Sequence, residues 1–327
     1  MPATERNNAI DLLRVLCIVY IVGYWHLIPY TEWLPGYANK YTEALKDIAL
    51  GTFVFSSGLL LARRDVQLRF REFIGFYQRR VLRIYPLYLL ALILFGVAGL
   101  ASWPVITKAA LLISSFAPPP PPTLWFITMI MFFYLLAPLL IWAARTAVGF
   151  ILLCSGLLLA CLGYDTYIQT MDSRLFLLFP SFVIGIYAQR VAAVQAFIQR
   201  RHYVLLALLI PAFFIGLPGN NGFDIQTSLL RAPLVVLGAV LFVAYTERLC
   251  KHLHSPFILA LSYASFGVYL FHRLIFKQAI DLYFPTDGFY QAVYLFALVV
   301  PVSFVVAYTL QKAYDAGLAR LTPNTSP

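Results

Sequence analysis

Long apolar runs separated by short clusters of charge set the pattern of this chain. Ten runs stand out, near residues 10–30, 46–62, 84–101, 124–144, 147–163, 175–190, 203–217, 229–246, 258–280 and 290–311. A helix crossing a bilayer needs ~20 mainly apolar residues, and the runs approach or reach that length. The pattern predicts an all-α polytopic transmembrane bundle of about ten spans, with residues 1–327 forming one membrane domain and no separate soluble domain. The first run carries Asp11 and Arg14, and no small-residue cleavage site follows it. It is therefore expected to stay as an anchor rather than leave as a signal peptide.

Charge gives the expected orientation. With the N-terminus inside, sixteen of the 24 Lys and Arg residues fall on the cytoplasmic side, among them Arg6, Arg63, Arg64, Arg69, Arg71, Arg79, Arg80, Arg83 and Lys251. The outer connections then hold only Lys40, Lys46, Lys108 and Arg174, with Glu43 and Asp47 among the acidic residues. Such a bias predicts cytoplasmic termini. Residues 63–83 form a basic cytoplasmic loop with interleaved Phe and Tyr, suited to lie on the inner leaflet. Residues 102–123 form an outer connection with a short apolar stretch and then Pro118–Pro122, expected to be extended and stiff.

Composition narrows the class. The chain is 61% hydrophobic and only 12% charged, about half the charge of a soluble domain. That excludes an ordinary soluble enzyme, a disordered chain and a disulfide scaffold. A formal net charge of +10 could indicate nucleic acid, but the basic residues lie between apolar runs rather than on a polar domain, so the expected partner is membrane lipid and not nucleic acid. Cys17, Cys154, Cys161 and Cys250 show no metal-like spacing and are read as small hydrophobes. No metal is expected.

Polar residues inside the runs are the candidates for chemistry, because a charged side chain at a span's centre costs ~2.5–3.5 kcal/mol on insertion scales. The first run holds Asp11, Arg14 and His26. Arg14 could snorkel, His26 could belong to an interfacial aromatic belt, and Asp11 could pair with Arg14 at i, i+3. Twelve positions separate Arg14 from His26 by ~18 Å of helix axis, giving one basic group toward each side of the bilayer. His272 and Arg273 form a second costly pair in the ninth run. Ser57 lies in a Ser-Ser-Gly element suited to close helix packing, while Trp125 and Tyr134 mark the fourth run. His202, His252 and His254 fall in loops and are read as solvated.

Several segments together resemble the integral-membrane acyltransferase family three, whose members acylate sugars or lipids at cell surfaces. AIDLLRVLCIVYIVGYWH is similar to its Asp–x–x–Arg…His first-span motif, with Asp11, Arg14 and His26. GTFVFSSGLLLARR, QRRVLRIYPLYLL with Arg80 and Arg83, LWFITMIMFFYLLAPLL and SYASFGVYLFH resemble four further family segments in the family's order. The resemblance implies transfer of a small acyl group, acetyl above all, from cytoplasmic acyl-CoA to a hydroxyl of a cell-surface or lipid-linked saccharide, in a bacterial inner membrane. It implies His26 as general base, Arg14 as a cation for thioester positioning or oxyanion stabilisation, and Arg80 and Arg83 with Arg79 as ligands of the donor's phosphates. A homodimer or an export-machinery partner stays open, and so do a transporter or flippase and a non-catalytic export component as alternative functions.

Two departures from the family pattern matter. Eleven residues lie between Arg14 and His26, one more than the motif has, which on an ideal helix moves their angular offset from ~20° to ~120°. A one-residue π-bulge would restore a common face. Second, Thr128 and Met129 stand where many members have a glutamate. The chain also ends soon after its tenth run, so the hydrolase-like domain of some relatives is not expected.

Overall fold

A computed structural model describes residues 8–66, 70–217, 224–250 and 253–321. Arg6, Arg69 and Lys251, read above as cytoplasmic, and His252, read as solvated, lie outside the described residues. All the regular secondary structure among the described residues is helical, with no strand among them. The chain divides into two compact units, one built from the two ends of the chain (residues 1–38 and 249–327) and one from residues 39–248.

In the terminal unit, helix α1 (Asn8–Tyr20) runs into a π-helical turn at Ile21–Trp25 and a 3-10 turn at Ile28–Tyr30. The middle unit holds α2 (Lys40–Leu61), α3 (Phe70–Val97), α4 (Trp103–Ala110), α5 (Trp125–Ala143), α6 (Ala147–Ile168), α7 (Arg174–Arg190), α8 (Ala192–Arg200), α9 (His202–Gly216) and α10 (Ile225–Cys250). The chain then returns to the terminal unit as α11 (Pro256–Leu282), α12 (Gly288–Tyr294), a π turn at Leu295–Val299 and α13 (Val300–Leu321).

All ten apolar runs are helical, and eight of the resulting segments are long and apolar enough for a full crossing, or up to nine if a bent pair counts as one. The bent pair is α7 and α8, which meet at 104° because Val191 between them is extended. The remaining run, α9, has 15 residues, ~22 Å of helix against a hydrocarbon core of ~30 Å. The basic stretch read as a loop is helical from Phe70 onward and continuous with the third span. Its Phe, Tyr and Arg residues are good enough helix formers, and Gly75 alone does not break them. Outward, α6 buries almost nothing of its length, and Val148, Ile151, Leu152 and Leu159 are exposed as a lipid-facing helix requires.

In the middle unit α2 and α7 cross at two glycines. A Cβ on Gly58 would lie 2.3 Å from the Phe182 carbonyl oxygen, and one on Gly185 would lie 2.3 Å from that of Phe55. Neither atom can move without bending a backbone, so the crossing requires glycine on both helices. Gly58→Ala is expected to lower the unfolding midpoint in detergent by an amount equivalent to roughly 1–3 kcal/mol of overpacking. The control is Gly156→Ala on α6, where nothing lies within 4 Å of an added Cβ, and which should leave the midpoint unmoved.

Helix α2 also begins earlier than its apolar run. Asn39 accepts hydrogen bonds from Tyr41 N (3.0 Å) and Thr42 N (3.2 Å), while Thr42 Oγ1 accepts from Asn39 N (3.1 Å), a capping box that fixes the start. Glu43, Lys46 and Asp47 are thus helical and buried rather than in an outer loop. They meet Arg231 of α10, whose Nη1 lies 2.7 Å from Asp47 Oδ2 and 3.6 Å from Glu43 Oε1, and Lys46 Nζ lies 3.2 Å from Asp47 Oδ1. Two cations and two carboxylates cancel, which is what permits their burial.

Candidate active site

The first-run residues are positioned by α11. Asp11 is buried and accepts a hydrogen bond from Ser262 Oγ at 2.6 Å, pinning α1 to α11 near its start. Arg14 follows three residues later and is half-buried. Between Arg14 and His26 lies the π turn Ile21–Trp25, closed by His26 N donating to Ile21 O at 2.8 Å. One π turn absorbs one extra residue, so the eleven-residue gap rotates like a ten-residue gap and the offset returns from ~120° to ~20°. The spacing that departs from the motif is compensated by the backbone.

His26 is half-buried, and its ring stacks on that of His272, with centroids 5.0 Å apart and planes at 5°. His272 is fully buried. Its Nδ1 lies 3.0 Å from Val268 O and 2.9 Å from Tyr269 O. Carbonyl oxygens only accept, so Nδ1 carries a proton and donates it to them. In the neutral ring, Nε2 is then the lone-pair nitrogen, and it is buried without a partner among the described residues. Phe276 meets the His272 ring edge-on at 5.7 Å, and Tyr30 meets Phe276 edge-on at 5.7 Å. Arg273 reaches the same Tyr30, with Nη1 3.4 Å from the phenol oxygen, while its Nε is buried with no acceptor among the described residues. Trp25 and Tyr37 pack at 5.6 Å. Burial pushes the Tyr37 phenol up, and the Arg273 charge pulls it the other way.

Arg14, His26, Asp11, His272 and Arg273 are thus all in the terminal unit. The other sequence candidates belong to the middle unit. Arg79, Arg80 and Arg83 lie in the first four turns of α3. Arg79 and Arg83 are exposed, and Arg80 is half-buried with its guanidinium 4.1 Å from the Phe76 ring centroid and Nη1 3.4 Å from Phe76 O. Arg64, Arg79 and Arg83 lie within electrostatic reach of Arg80, together with Tyr134. By contrast Arg145 and Arg190 share one carboxylate, Asp65, at 3.2 and 2.8 Å. The α3 arginines therefore form a positive cluster suited to an anion.

Ser57 is half-buried beside the Gly58 crossing, so packing accounts for its segment. The Trp125 ring is covered by the Arg174 guanidinium at 3.7 Å, and Arg174 is held by Asp172 through two bonds of 2.7 and 2.6 Å. Thr128, in the place of the motif glutamate, is buried and bonded to Tyr88 OH (3.1 Å) and Ser114 Oγ (3.0 Å). It makes a hydroxyl network, not a carboxylate partner for an imidazole.

Residues 7–311 match the acyltransferase domain of acyltransferase family 3. The chain belongs to that family. No match was found among curated proteins or among solved structures. Family membership and the apolar helices together make the chain an integral-membrane acyltransferase. Among the described residues, no group of three or more His, Cys, Asp or Glu is arranged to hold a metal ion. Two features of this acyltransferase escaped the sequence: the His26–His272 stack and the buried charge cluster around Arg231. Only the second left a signal, in that Glu43, Lys46 and Asp47 recur at helical spacing after a capping Asn39.

Proposed function

We propose that this acyltransferase moves a small acyl group, acetyl above all, from cytoplasmic acyl-CoA to a hydroxyl of a cell-surface or lipid-linked saccharide. The observation that carries the reading is the π turn at Ile21–Trp25. A helix keeps such a turn at a cost in regular hydrogen bonding, and here it restores the alignment of the two residues that the family motif pairs. The bias of basic residues supports cytoplasmic termini, in a bacterial inner membrane, with Arg14 toward the inner side and His26 toward the outer.

An alcohol attacks a thioester only as its proton leaves. His26 takes that proton while the hydroxyl oxygen bonds to the thioester carbon. The tetrahedral intermediate collapses, the C–S bond breaks, and the departing sulfur recovers the proton from His26, leaving ester and free thiol. Arg14 lies ~18 Å along the axis from His26, whereas an oxyanion donor must sit about 3 Å from the developing charge. Of the two roles open to Arg14, positioning of the donor's long arm is therefore the one assigned. The α3 cluster of Arg79, Arg80 and Arg83 takes the donor's phosphates, which guanidinium groups bind with paired hydrogen bonds.

The test is acceptor-dependent release of thiol. Purified protein in nanodiscs, given acetyl-CoA and a panel of saccharides, should release free thiol in step with acetylated product. A transporter or scaffold releases none. Arg83→Ala should then raise the KM for acetyl-CoA about tenfold, the loss of one charge-assisted contact, with kcat unchanged. An unaltered KM removes the phosphate role.

A further inference from the structure

We infer that Arg273 supplies the hydrogen bond that stabilises the oxyanion in this transfer; the assignment rests on the acyl-transfer reading and completes it. Arg273 lies well inside α11, a 27-residue helix that meets the requirements of a membrane crossing. An arginine there is costly and calls for a partner. None of the carboxylates among the described residues forms an ion pair with it. Its contact to Tyr30 OH, at 3.4 Å, is long, and its Nε–H is buried with no acceptor among the described residues. A buried donor left unpaired is rare in folded proteins and requires a reason.

Position supplies the reason. Consecutive residues of α11 meet the chain just beyond the π turn: His272 stacks on His26, and Arg273 reaches Tyr30, four residues further on. The base and the unpaired guanidinium donor thus belong to one crossing of α11 with residues 26–30. The residues around this crossing are themselves held in place. The His272 ring is fixed by its Nδ1–H bonds to Val268 O and Tyr269 O, Phe276 packs between the His272 and Tyr30 rings, and Tyr30 orients the guanidinium. As the acceptor oxygen bonds to the thioester carbon, the carbonyl electron pair moves onto oxygen, and Arg273 Nε–H donates to it. When the C–S bond breaks, that pair returns to form the ester carbonyl and Arg273 is left unchanged. Such a fixed donor acts on charge that exists only in the intermediate and its flanking transition states.

Steady-state kinetics in nanodiscs, with acetyl-CoA and the saccharide on which the wild type is fastest, test the assignment. Arg273→Gln should lower kcat by about 10²–10³-fold, with KM for both substrates within about threefold and the unfolding midpoint unmoved. Arg273→Lys keeps the charge but not the planar donor, and should recover only part of the rate. Tyr30→Phe keeps the ring against Phe276 and releases the guanidinium, so kcat should fall several-fold at constant KM. A kcat for Arg273→Gln within threefold of wild type overturns the assignment, as does a rate loss that merely follows a loss of folded protein. Should Arg273→Gln fail to fold, full kcat in both Arg273→Lys and Tyr30→Phe overturns it equally. A wild type that releases no thiol sinks the acyl-transfer reading itself, whereas a transferring wild type beside an equally fast Arg273→Gln sinks this assignment alone.

Discussion

Replacing His26 with alanine is expected to reduce kcat for acyl transfer by about 10²–10⁴-fold, the usual worth of a positioned general base. Alanine also removes the ring stacked on His272, and an aromatic pair contributes ~0.5–1.5 kcal/mol beyond its burial. A rate loss in His26→Ala alone could therefore mix chemistry with packing. His26→Phe separates the two, because phenylalanine keeps a ring at 5.0 Å from His272 and has no nitrogen to take a proton. If His26 is the base, His26→Phe should unfold at the wild-type midpoint and still lose the full rate, with KM values nearly unchanged. Should His26→Phe turn over like the wild type, His26 is a packing residue and the base must be sought elsewhere. The fixed Nδ1–H tautomer of His272 would make its Nε2 the first place to look.

How far the sequence carried this picture depends on which signals are local. The apolar runs were legible because a membrane crossing is written in consecutive residues, and all ten runs are helical. The start of α2 was not, because Glu43, Lys46 and Asp47 look like a wet loop until Arg231, on a distant helix, neutralises them. The helical run of α3 through Arg71–Arg83 was hidden for a related reason, since charge density signals an interface without saying whether the backbone there is loop or helix. In the site, Arg14 and His26 were legible from their spacing, and even the need for a π turn followed from counting residues on a helix. The pairing of His26 with His272 was not legible, because the two rings come from opposite ends of the chain. Nor does sequence reveal that the Nε of Arg273 has no acceptor among the described residues, since satisfaction of a donor is a property of the packed structure.

The second large effect concerns the π turn itself, and its sign depends on direction. Deleting Val22, inside Ile21–Trp25, leaves ten residues between Arg14 and His26. The turn can then close as ordinary α-helix, with the angular offset still ~20°. Transfer should persist within a few-fold of wild type, although a residue has been lost from a buried segment. Inserting one alanine after Val19 adds a residue that the existing π turn cannot absorb. His26 then rotates by ~100° away from Arg14 and from the His272 ring, and kcat should fall as far as in His26→Phe. An ordinary helix would give another result. There, each change would rotate His26 by the same ~100° in opposite senses, so deletion and insertion would be about equally harmful. Kinetics of the two variants, with unfolding midpoints as a check on the fold, decide between these outcomes. Equal loss in both would mean that the alignment of Arg14 with His26 is not what the turn maintains, and the donor-positioning role of Arg14 would fall with it.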